Sequence, residues 1–197
     1  MVTIRKGEAW GDPVVSAAEG LRVATSDGEA VRGGRRDAVG LSGGDMARTM
    51  GGGAPGRLNG PHVRATVDLL EVTADGRTFT ALAHVVARRA WWRGEVVMAM
   101  NAQFLGEYDV APRSHPNDGR LDLLRVDPSM PLRARLQART RARTGTHLPH
   151  PHITFASTQR WTAEFVRPLN LYVDGTRVAR VRELAIVVLP DALIVHA

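Results

Sequence analysis

The alternation of apolar and other side chains from Val63 to the end of the chain most limits what this sequence can fold into. Segments such as VRATVDLLEV, EVVMAMNAQFL and ELAIVVL alternate in this way, and turn sequences at residues 74–76 and 174–175 separate them. Successive side chains of a strand point to opposite faces of a sheet, so many alternating segments separated by turns are typical of antiparallel β proteins. The sequence therefore predicts a mainly β fold, either an antiparallel sandwich or a barrel.

Composition limits the class of protein. The 197 residues can form one good core or two small ones, and 44% of them are hydrophobic, as in an ordinary folded domain. Because the chain has no cysteine, disulfides, thiolate metal sites and a cysteine nucleophile are excluded. No run of about 18 apolar residues predicts a transmembrane span, and the first residues lack the apolar core of a signal peptide. We therefore expect a cytoplasmic protein without a transmembrane segment.

The formal net charge of +6 comes almost entirely from arginine, a usage typical of GC-rich bacterial genomes. One arginine cluster lies in the segment PSMPLRARLQARTR, which predicts a helix. Ser129 is its candidate cap, and Met130, Leu132 and Leu136 form its predicted apolar stripe. A solvated face is the common role of such charges, and the flanking aromatic residues on which single-strand-binding proteins stack bases are missing. A nucleic-acid partner is therefore not expected.

The segment LSGGDMAR (residues 41–48) combines the end of a short buried strand, a glycine-rich turn and a helix start with Asp45 as its N-cap. Free N–H groups and the helix dipole at such a turn can cradle an anion. The Gly-Lys-Ser/Thr ending of a Walker loop is absent, and glycines at a strand-to-helix turn are structural more often than not. The motif leaves anion binding and a purely structural turn open.

The segment SHPNDGRLD (residues 114–122) joins a turn to a strand with a buried face. It also carries His115, Asp118 and Asp122. Carboxylates and loop carbonyls are the ligands that Ca²⁺ and Mg²⁺ prefer. Two interpretations stay open, a plain turn with one solvent-facing acid and a small metal site lined by oxygen atoms.

The segment HLPHPH places His147, His150 and His152 close together, with prolines that impose an extended path. Histidine pairs can bind Zn²⁺, and the alternative is a proline-rich loop that leads into a strand.

The segment RRAWWRGE places Trp91 and Trp92 between arginines. It predicts a hairpin or loop with one tryptophan buried. A lipid-contacting or partner-contacting edge is the alternative, because tryptophan has an apolar body and a polar N–H group.

Taken in order, these segments resemble the diacylglycerol kinase and bacterial lipid kinase family. AVGLSGGDMARTMG is similar to the Gly-Thr-Gly-Asn-Asp-Phe-Ala-Arg segment of that family, and MNAQFLGEYDVAPRSHPNDGRLDLLRV to its stretch with Ala-Pro and Asp-Gly-x-Leu-Asp. GTHLPHPHITFAS and LNLYVDG with LPDAL resemble its last strands, and the match is collinear over residues 38–197. The resemblance implies a lipid-kinase-like β-sandwich over residues 61–197, preceded by a short α/β remnant of a nucleotide-binding domain over residues 1–60.

In that family, ATP and the lipid meet in the cleft between the two domains. The resemblance makes Asp45 and Asp174 the candidate catalytic residues. It assigns cofactor binding to Ser42, Gly43, Gly44, Asp45 and Asn101. It also implies a structural Mg²⁺ ion held by Asp118 and the carbonyl oxygen of Leu121. His115, just before the turn, is a further candidate ligand from the sequence itself.

Two departures from the family pattern bear on activity. The Gly-Gly-Asp-Gly-Thr motif for nucleotide phosphates cannot be placed, and the family's Asp-Gly-Glu reads Asp174-Gly175-Thr176 here. Threonine cannot act as a general base at neutral pH. We therefore expect a reduced lipid-kinase-like protein that binds a ligand or a partner and has weak or no kinase activity of its own. Two alternatives stay open: an active ATP-dependent lipid kinase with a rebuilt site or one completed by a dimer, and a small histidine-based metal-binding protein.

Overall fold

The computed structural model describes residues 11–16, 19–33, 38–52 and 57–197, and β-strands account for about half of them. The strands are β1 (Asp12–Val14), β2 (Arg22–Ala24), β3 (Val39–Leu41), β4 (His62–Ala74), β5 (Arg77–Ala81), β6 (His84–Arg88), β7 (Val96–Met100), β8 (Phe104–Leu105), β9 (Tyr108–Asp109), β10 (Leu121–Val126), β11 (Ile153–Thr158), β12 (Arg160–Val173) and β13 (Thr176–His196). The helices are α1 (Asp27–Ala30), α2 (Asp45–Thr49) and α3 (Leu132–Ala142), with 3₁₀ turns at Val31–Gly33 and Arg57–Asn59.

The main sheet follows the order β1-β4-β13-β12-β6-β7-β10-β11, with β5 paired to β4. Every pair along this path is antiparallel. The predicted antiparallel β fold is therefore confirmed.

The sheet forms a sandwich because its two longest strands are irregular. The pairing of β12 with β13 shifts register between Glu164 and Leu169, and the pairing of β13 with β4 shifts between Leu189 and Leu193. Such irregularities bend strands, so the sheet covers both sides of one apolar core. The core includes Leu70, Val72, Leu184 and Ile186 from β4 and β13, and Val97, Ala99, Leu121 and Leu123 from β7 and β10.

The N-terminal elements extend the same sheet. Strand β3 pairs in parallel with the end of β13, with Val39 opposite Val195, and β2 pairs in parallel with β3. Met46 of α2 is buried in a second core with Leu69 and Leu193. This parallel β and short helical segment is the predicted α/β element, while the domain boundary at residue 60 stays a prediction.

Helix α3 lies on the outer face of the sheet, but its apolar stripe is not the predicted one. Met130 is buried, whereas Leu132 and Leu136 are each 54% exposed. The helix packs through small alanines and through Arg135, whose guanidinium turns inward toward backbone carbonyl oxygens. The predicted stripe is therefore wrong for the two leucines.

The predicted cap of α3 is also wrong. The helix begins at Leu132 with Pro131 as its N-cap. Ser129 instead donates its hydroxyl proton to the carboxylate of Asp127, in the turn before the helix. None of the helices in the described part of the chain is long and apolar enough to cross a bilayer.

Candidate functional site

Four polar side chains, which we call the carboxylate cluster, meet where α1 and α2 face the sheet: Asp27, Asp45, His84 and Asp174. Asp27 and Asp45 begin α1 and α2, His84 begins β6, and Asp174 follows the last residue of β12. Nε2 of His84 lies 2.9 Å from Oδ2 of Asp45. The negative charges of Asp174 and Asp45 both act on the carboxyl of Asp27. The fold thus brings together the two predicted catalytic residues, Asp45 and Asp174, and adds Asp27 and His84.

Asp27, and not Asp45, caps helix α2. Oδ2 of Asp27 accepts the N–H of Asp45 at 2.6 Å, and Oδ1 accepts that of Met46 at 3.1 Å. Gly44 occupies the N-cap position with a φ of 97°, and a Cβ atom there would collide with the Asp27 carboxylate. The prediction that Asp45 is the N-cap is therefore wrong, because a carboxylate from a distant turn supplies the cap.

The side chain of Asp45 is consequently directed to other partners. Its Oδ2 faces His84, and its Oδ1 accepts the N–H of Gly106 at 2.9 Å. Arg48, one turn along α2, donates to the carbonyl oxygen of Gly106 and stacks 4.1 Å above the ring of Phe104. Helix α2 is therefore tied to the β8–β9 hairpin through the same residue that belongs to the carboxylate cluster.

The carboxylate of Asp174 binds the backbone of the segment that links β5 to β6. Its Oδ2 accepts the N–H of Leu82 at 2.9 Å, and its Oδ1 accepts those of Ala83 at 2.9 Å and His84 at 3.1 Å. Leu82 and Ala83 link β5 to β6, and His84 is the first residue of β6. Three donors for one half-buried carboxylate mark a strong structural role for Asp174.

Burial and crowding shift the acid–base properties of the cluster. Burial and the charge of Asp174 raise the pKa of Asp27 to about 6. Burial likewise raises the pKa of Asp174. For His84, burial lowers the pKa, but the hydrogen bond that its ring donates to Asp45 and the charges of the three acids outweigh burial and raise the pKa above its usual value. Nδ1 of His84 is buried and has no hydrogen-bond partner among the described residues.

The predicted cofactor-binding turn packs against the N-terminal strand. Both the backbone N–H and the hydroxyl of Ser42 donate to the carbonyl oxygen of Ala24, at 2.9 and 3.1 Å. Gly43 lies so close to the carbonyl oxygen of Thr25 that a Cβ atom would approach it to 2.5 Å. Since Asp27 already occupies two N–H groups at the start of α2, an anion would have to displace this carboxylate. Cofactor binding by Ser42, Gly43, Gly44 and Asp45 stays a prediction.

Asn101 connects the carboxylate cluster to a second group of acids. It is fully buried, and its Nδ2 donates to the carbonyl oxygens of Asp68 at 2.9 Å and Leu82 at 2.8 Å. Its Oδ1 has no hydrogen-bond partner in the described part of the chain. Asn101 therefore links the backbone at Leu82 to that of β4 at Asp68. Cofactor binding by Asn101 stays a prediction.

The second group of acids, which we call the acidic turn, comprises Asp68, Asp118 and Asp122. Oδ1 of Asp118 accepts the N–H of Arg120 at 2.9 Å, as the predicted turn chemistry requires. Oδ2 of Asp68 accepts the N–H of Gly119 at 2.7 Å, which fixes the turn to β4. Burial, together with the charge of Asp118, raises the pKa of Asp68 and of Asp122 to about 6.

The acidic turn offers carboxylate oxygens, the type of ligand that a hard cation prefers. The charge of Asp118 acts on both Asp68 and Asp122, so a cation beside Asp118 would relieve part of this repulsion. Leu121 begins β10 directly after the turn, and Nδ1 of His115 accepts the N–H of Asn117 at 3.2 Å. Within the described ranges, no three His, Asp or Glu side chains form a group that could hold a metal ion. Magnesium at Asp118, Leu121 and His115 stays a prediction.

The histidines of HLPHPH have separate environments. The rings of His150 and His152 lie 5.9 Å apart, and Nδ1 of His150 accepts the backbone N–H of His152 at 3.1 Å. His147 is only 5% exposed, and neither of its ring nitrogens has a hydrogen bond of normal geometry among the described residues. Burial lowers the pKa of His147, so the ring is neutral at pH 7.

His147 lines an apolar cavity of about 260 Å³ between α3 and the outer face of the sheet. The wall consists of side chains from the loop that carries the two tryptophans, from β7 to β11 and from α3 with the residues before it: Trp91, Trp92, Val96, Met98, Leu105, Tyr108, Val110, Val126, Met130, Leu132, Arg135, Leu136, Ala138, Arg139, Ala142 and Ile153. The two tryptophans are 38% and 61% exposed. The prediction that one of them is buried is wrong, because both belong to this cavity wall at the protein surface.

Comparisons with known proteins match the sandwich described above. The family model of the YegS C-terminal NAD kinase beta sandwich-like domain matches residues 62–197. A protein from Bacillus anthracis str. Sterne, assigned as a diacylglycerol kinase, has a solved structure that aligns with a TM-score of 0.58 and 13% identity, over 81% of this chain and 69% of that chain. A diacylglycerol kinase structure from the same organism aligns with a TM-score of 0.54 and 15% identity, over 81% of this chain and 66% of that chain. No curated protein matches the sequence.

The solved structures share the fold, and the family model covers β4 to β13, which form the sandwich and include Asn101, Asp118, Asp174 and the cavity. The chain therefore belongs to the YegS C-terminal NAD kinase beta sandwich-like family, and it contains a lipid-kinase-like C-terminal domain.

Proposed function

We propose that this chain binds a lipid or another apolar small molecule in the cavity beneath α3, and that it has weak or no phosphotransfer activity of its own. The observation that carries the proposal is the combination of apolar walls with His147, a buried side chain whose two ring nitrogens have no hydrogen bond of normal geometry among the described residues. Ligand pockets typically combine hydrophobic walls with a few polar groups that orient the ligand.

The size and chemistry of the cavity favour an alkyl chain with one polar group. Its volume of about 260 Å³ is close to the lower end of ligand pockets, which measure roughly 300–1,000 Å³. Each methylene group removed from water contributes about 0.8 kcal/mol, so a chain of several carbons would bind well. Neutral His147 offers one donor and one acceptor, which suit a hydroxyl or an ester group.

Weak phosphotransfer is supported by the state of the carboxylate cluster. Asp27 and Asp174 accept backbone N–H groups with both oxygens, and Asp45 is shared between His84 and Gly106. Thr176 stands where the family has the glutamate proposed as a base. Phosphoryl transfer depends on positioned charges around the phosphates, and the N–H groups that could supply them at α2 are already bonded.

Ligand binding can be tested with a variant that fills the cavity. Ala138 lines the cavity, whereas Ala134 lies one turn away on α3 and does not. We expect Ala138→Phe to weaken binding of a fatty acid with an environment-sensitive fluorophore by at least about tenfold, since tenfold corresponds to about 1.4 kcal/mol. Ala134→Phe, the matched control, should bind like the parent protein. Equal binding by both variants, with thermal melts that confirm folding, would exclude the cavity as the site.

A second candidate function is ATP-dependent lipid phosphorylation at the carboxylate cluster. It is favoured by one observation, the pairing of Asp45 with a buried His84 whose pKa is raised. Phosphorylation of a short-chain diacylglycerol with Mg²⁺ and ATP, lost in Asp45→Asn and kept in the exposed control Asp12→Asn, would establish it. Mass measurement in solution would then decide whether a dimer or a partner chain completes the site. Absence of product from the parent protein would leave the binding function alone.

A further inference from the structure

Four large apolar side chains are exposed together at the mouth of the cavity. Trp91 and Trp92 are 38% and 61% exposed, and Leu132 and Leu136 are each 54% exposed. The two leucines are four residues apart and therefore lie on one face of α3. All four line the same cavity, which places them on one surface, the Trp–Leu patch. Contiguous apolar surface of this kind marks an interaction site.

Arginines surround the Trp–Leu patch, and acids are missing from the two segments that form it. The loop at residues 88–94 and helix α3 together contain no Asp or Glu. Arg89 and Arg93 on the loop and Arg133, Arg139 and Arg141 on the helix are exposed. The patch therefore combines an apolar centre with a border of five exposed arginines, and the acids nearby have partners of their own: Glu95 pairs with Arg125, Glu107 pairs with Arg143, and Asp127 bonds to Ser129.

Two arginine side chains, Arg135 and Arg88, fix the conformation of the Trp–Leu patch. Arg135 is 6% exposed, and its guanidinium donates to the carbonyl oxygens of Trp91 at 3.3 Å and Gly94 at 2.6 Å. It also donates to those of Asp127 and Met130. Arg88 lies between the rings of Trp91 and Tyr172, at 4.5 and 4.3 Å. The buried Arg135 thus fixes the loop at residues 88–94 to α3, so the exposed tryptophan rings have a defined position on the surface.

We infer that the Trp–Leu patch docks the protein on the surface of an anionic lipid bilayer, with the mouth of the cavity facing the membrane. Tryptophan favours the boundary between water and hydrocarbon, and leucine penetrates it. Arginines near an anionic surface each add about fivefold to membrane affinity. The inference rests on the proposed function in one respect: a lipid would enter the cavity from the membrane without crossing water.

The test uses flotation of the full chain with vesicles of phosphatidylcholine and phosphatidylglycerol in equal parts. The variant Arg93→Glu with Arg133→Glu reverses two border charges, and neither residue lines the cavity. We expect it to bind these vesicles at least about tenfold more weakly. Arg167→Glu, an exposed arginine on β12, is the charge control. Trp92→Ser should also reduce binding, whereas Val166→Ser, at a side chain that is 94% exposed on β12, should not.

The outcomes separate this inference from the proposed function. Vesicle binding that depends on the patch supports the inference even if the fluorescent fatty acid does not bind. Fatty-acid binding without binding to anionic vesicles overturns the inference and leaves the proposed function standing. Equal binding to vesicles of phosphatidylcholine alone, binding to RNA in place of vesicles, or a stable dimer that protects Trp92 would each overturn it.

Discussion

Asp27 determines what the neighbouring Asp45 can do. By accepting the N–H groups at the start of α2, it takes over the capping role and leaves the carboxylate of Asp45 to His84 and Gly106. Burial and the charges of the two neighbouring acids disfavour the ionised form of Asp27, and they raise its pKa to about 6.

The raised pKa of Asp27 predicts a pH-dependent contribution to stability. The folded protein holds this proton up to about pH 6, whereas the unfolded chain loses it near pH 4, so the contribution is present at low pH and is lost as pH rises between these values. The difference in free energy of unfolding between the parent protein and Asp27→Asn should fall by about 2–3 kcal/mol from pH 4 to pH 7. Urea titrations at both pH values measure it. A constant difference would contradict the assignment.

Asp174 is predicted to be essential for stability whether or not it takes part in chemistry. Asp174→Ala would leave three backbone N–H groups near β6 without an acceptor, and we expect a loss of roughly 3–5 kcal/mol. Asp75→Ala is the matched control. It has nearly the same φ, 45° against 44°, and its carboxylate also accepts backbone N–H groups. Because those groups are exposed, water can replace the carboxylate, so the control should lose about 1 kcal/mol. Similar losses in both variants would argue against the structural role.

At the scale of elements, the acidic turn should respond to magnesium. If Mg²⁺ binds the carboxylates of this turn, millimolar Mg²⁺ should raise the melting temperature, by about 2–4 °C for each kcal/mol of linked binding energy. The rise should disappear in Asp118→Asn and remain in Asp12→Asn, whose side chain is exposed on β1. An equal rise in both variants would indicate a general salt effect, and EDTA should reverse a specific one.

Elements defined by short-range patterns could be predicted, and those that depend on distant contacts could not. The alternation in β4, β7, β10 and β13 follows from the sequence, because side-chain period and burial act locally. The face of α3 was missed because Leu132 and Leu136 look like a core stripe, while Arg135 is drawn inward by carbonyl oxygens from a loop about forty residues away.

The same limit applies to the site. Asp45 and Asp174 could be named from their motifs. Their partners Asp27 and His84 could not be named from the sequence. Asp27 lies 18 residues from Asp45 along the chain, and His84 lies 39 residues from it. The sequence does carry one local signal for Asp27: Ser26 and Glu29 form a helix-start pattern, and Ser26 indeed caps α1. That pattern fixes a turn, but it gives no indication that the turn reaches α2.

At the scale of the whole molecule, the N-terminal elements and the sandwich should unfold together. They share the sheet through β3 and β13, and Met46 is buried with Leu69 and Leu193. Hydrogen exchange should therefore give one opening free energy for peptides over residues 38–52 and 184–197. A much lower value for residues 38–52 would instead support an independent unit before residue 61.

At one point of strand β13, the fold depends on the exact number of residues. Between Leu189 and Leu193 its pairing with β4 shifts register, and beyond this shift Leu193 and Val195 enter the core shared with the N-terminal elements. Deletion of a single codon there would exchange the two faces of the final strand segment, sending Leu193 and Val195 toward solvent. The number of residues at this irregularity is therefore fixed, and the identity of Asp191 is restricted as well, because its φ of 50° favours Gly, Asn or Asp.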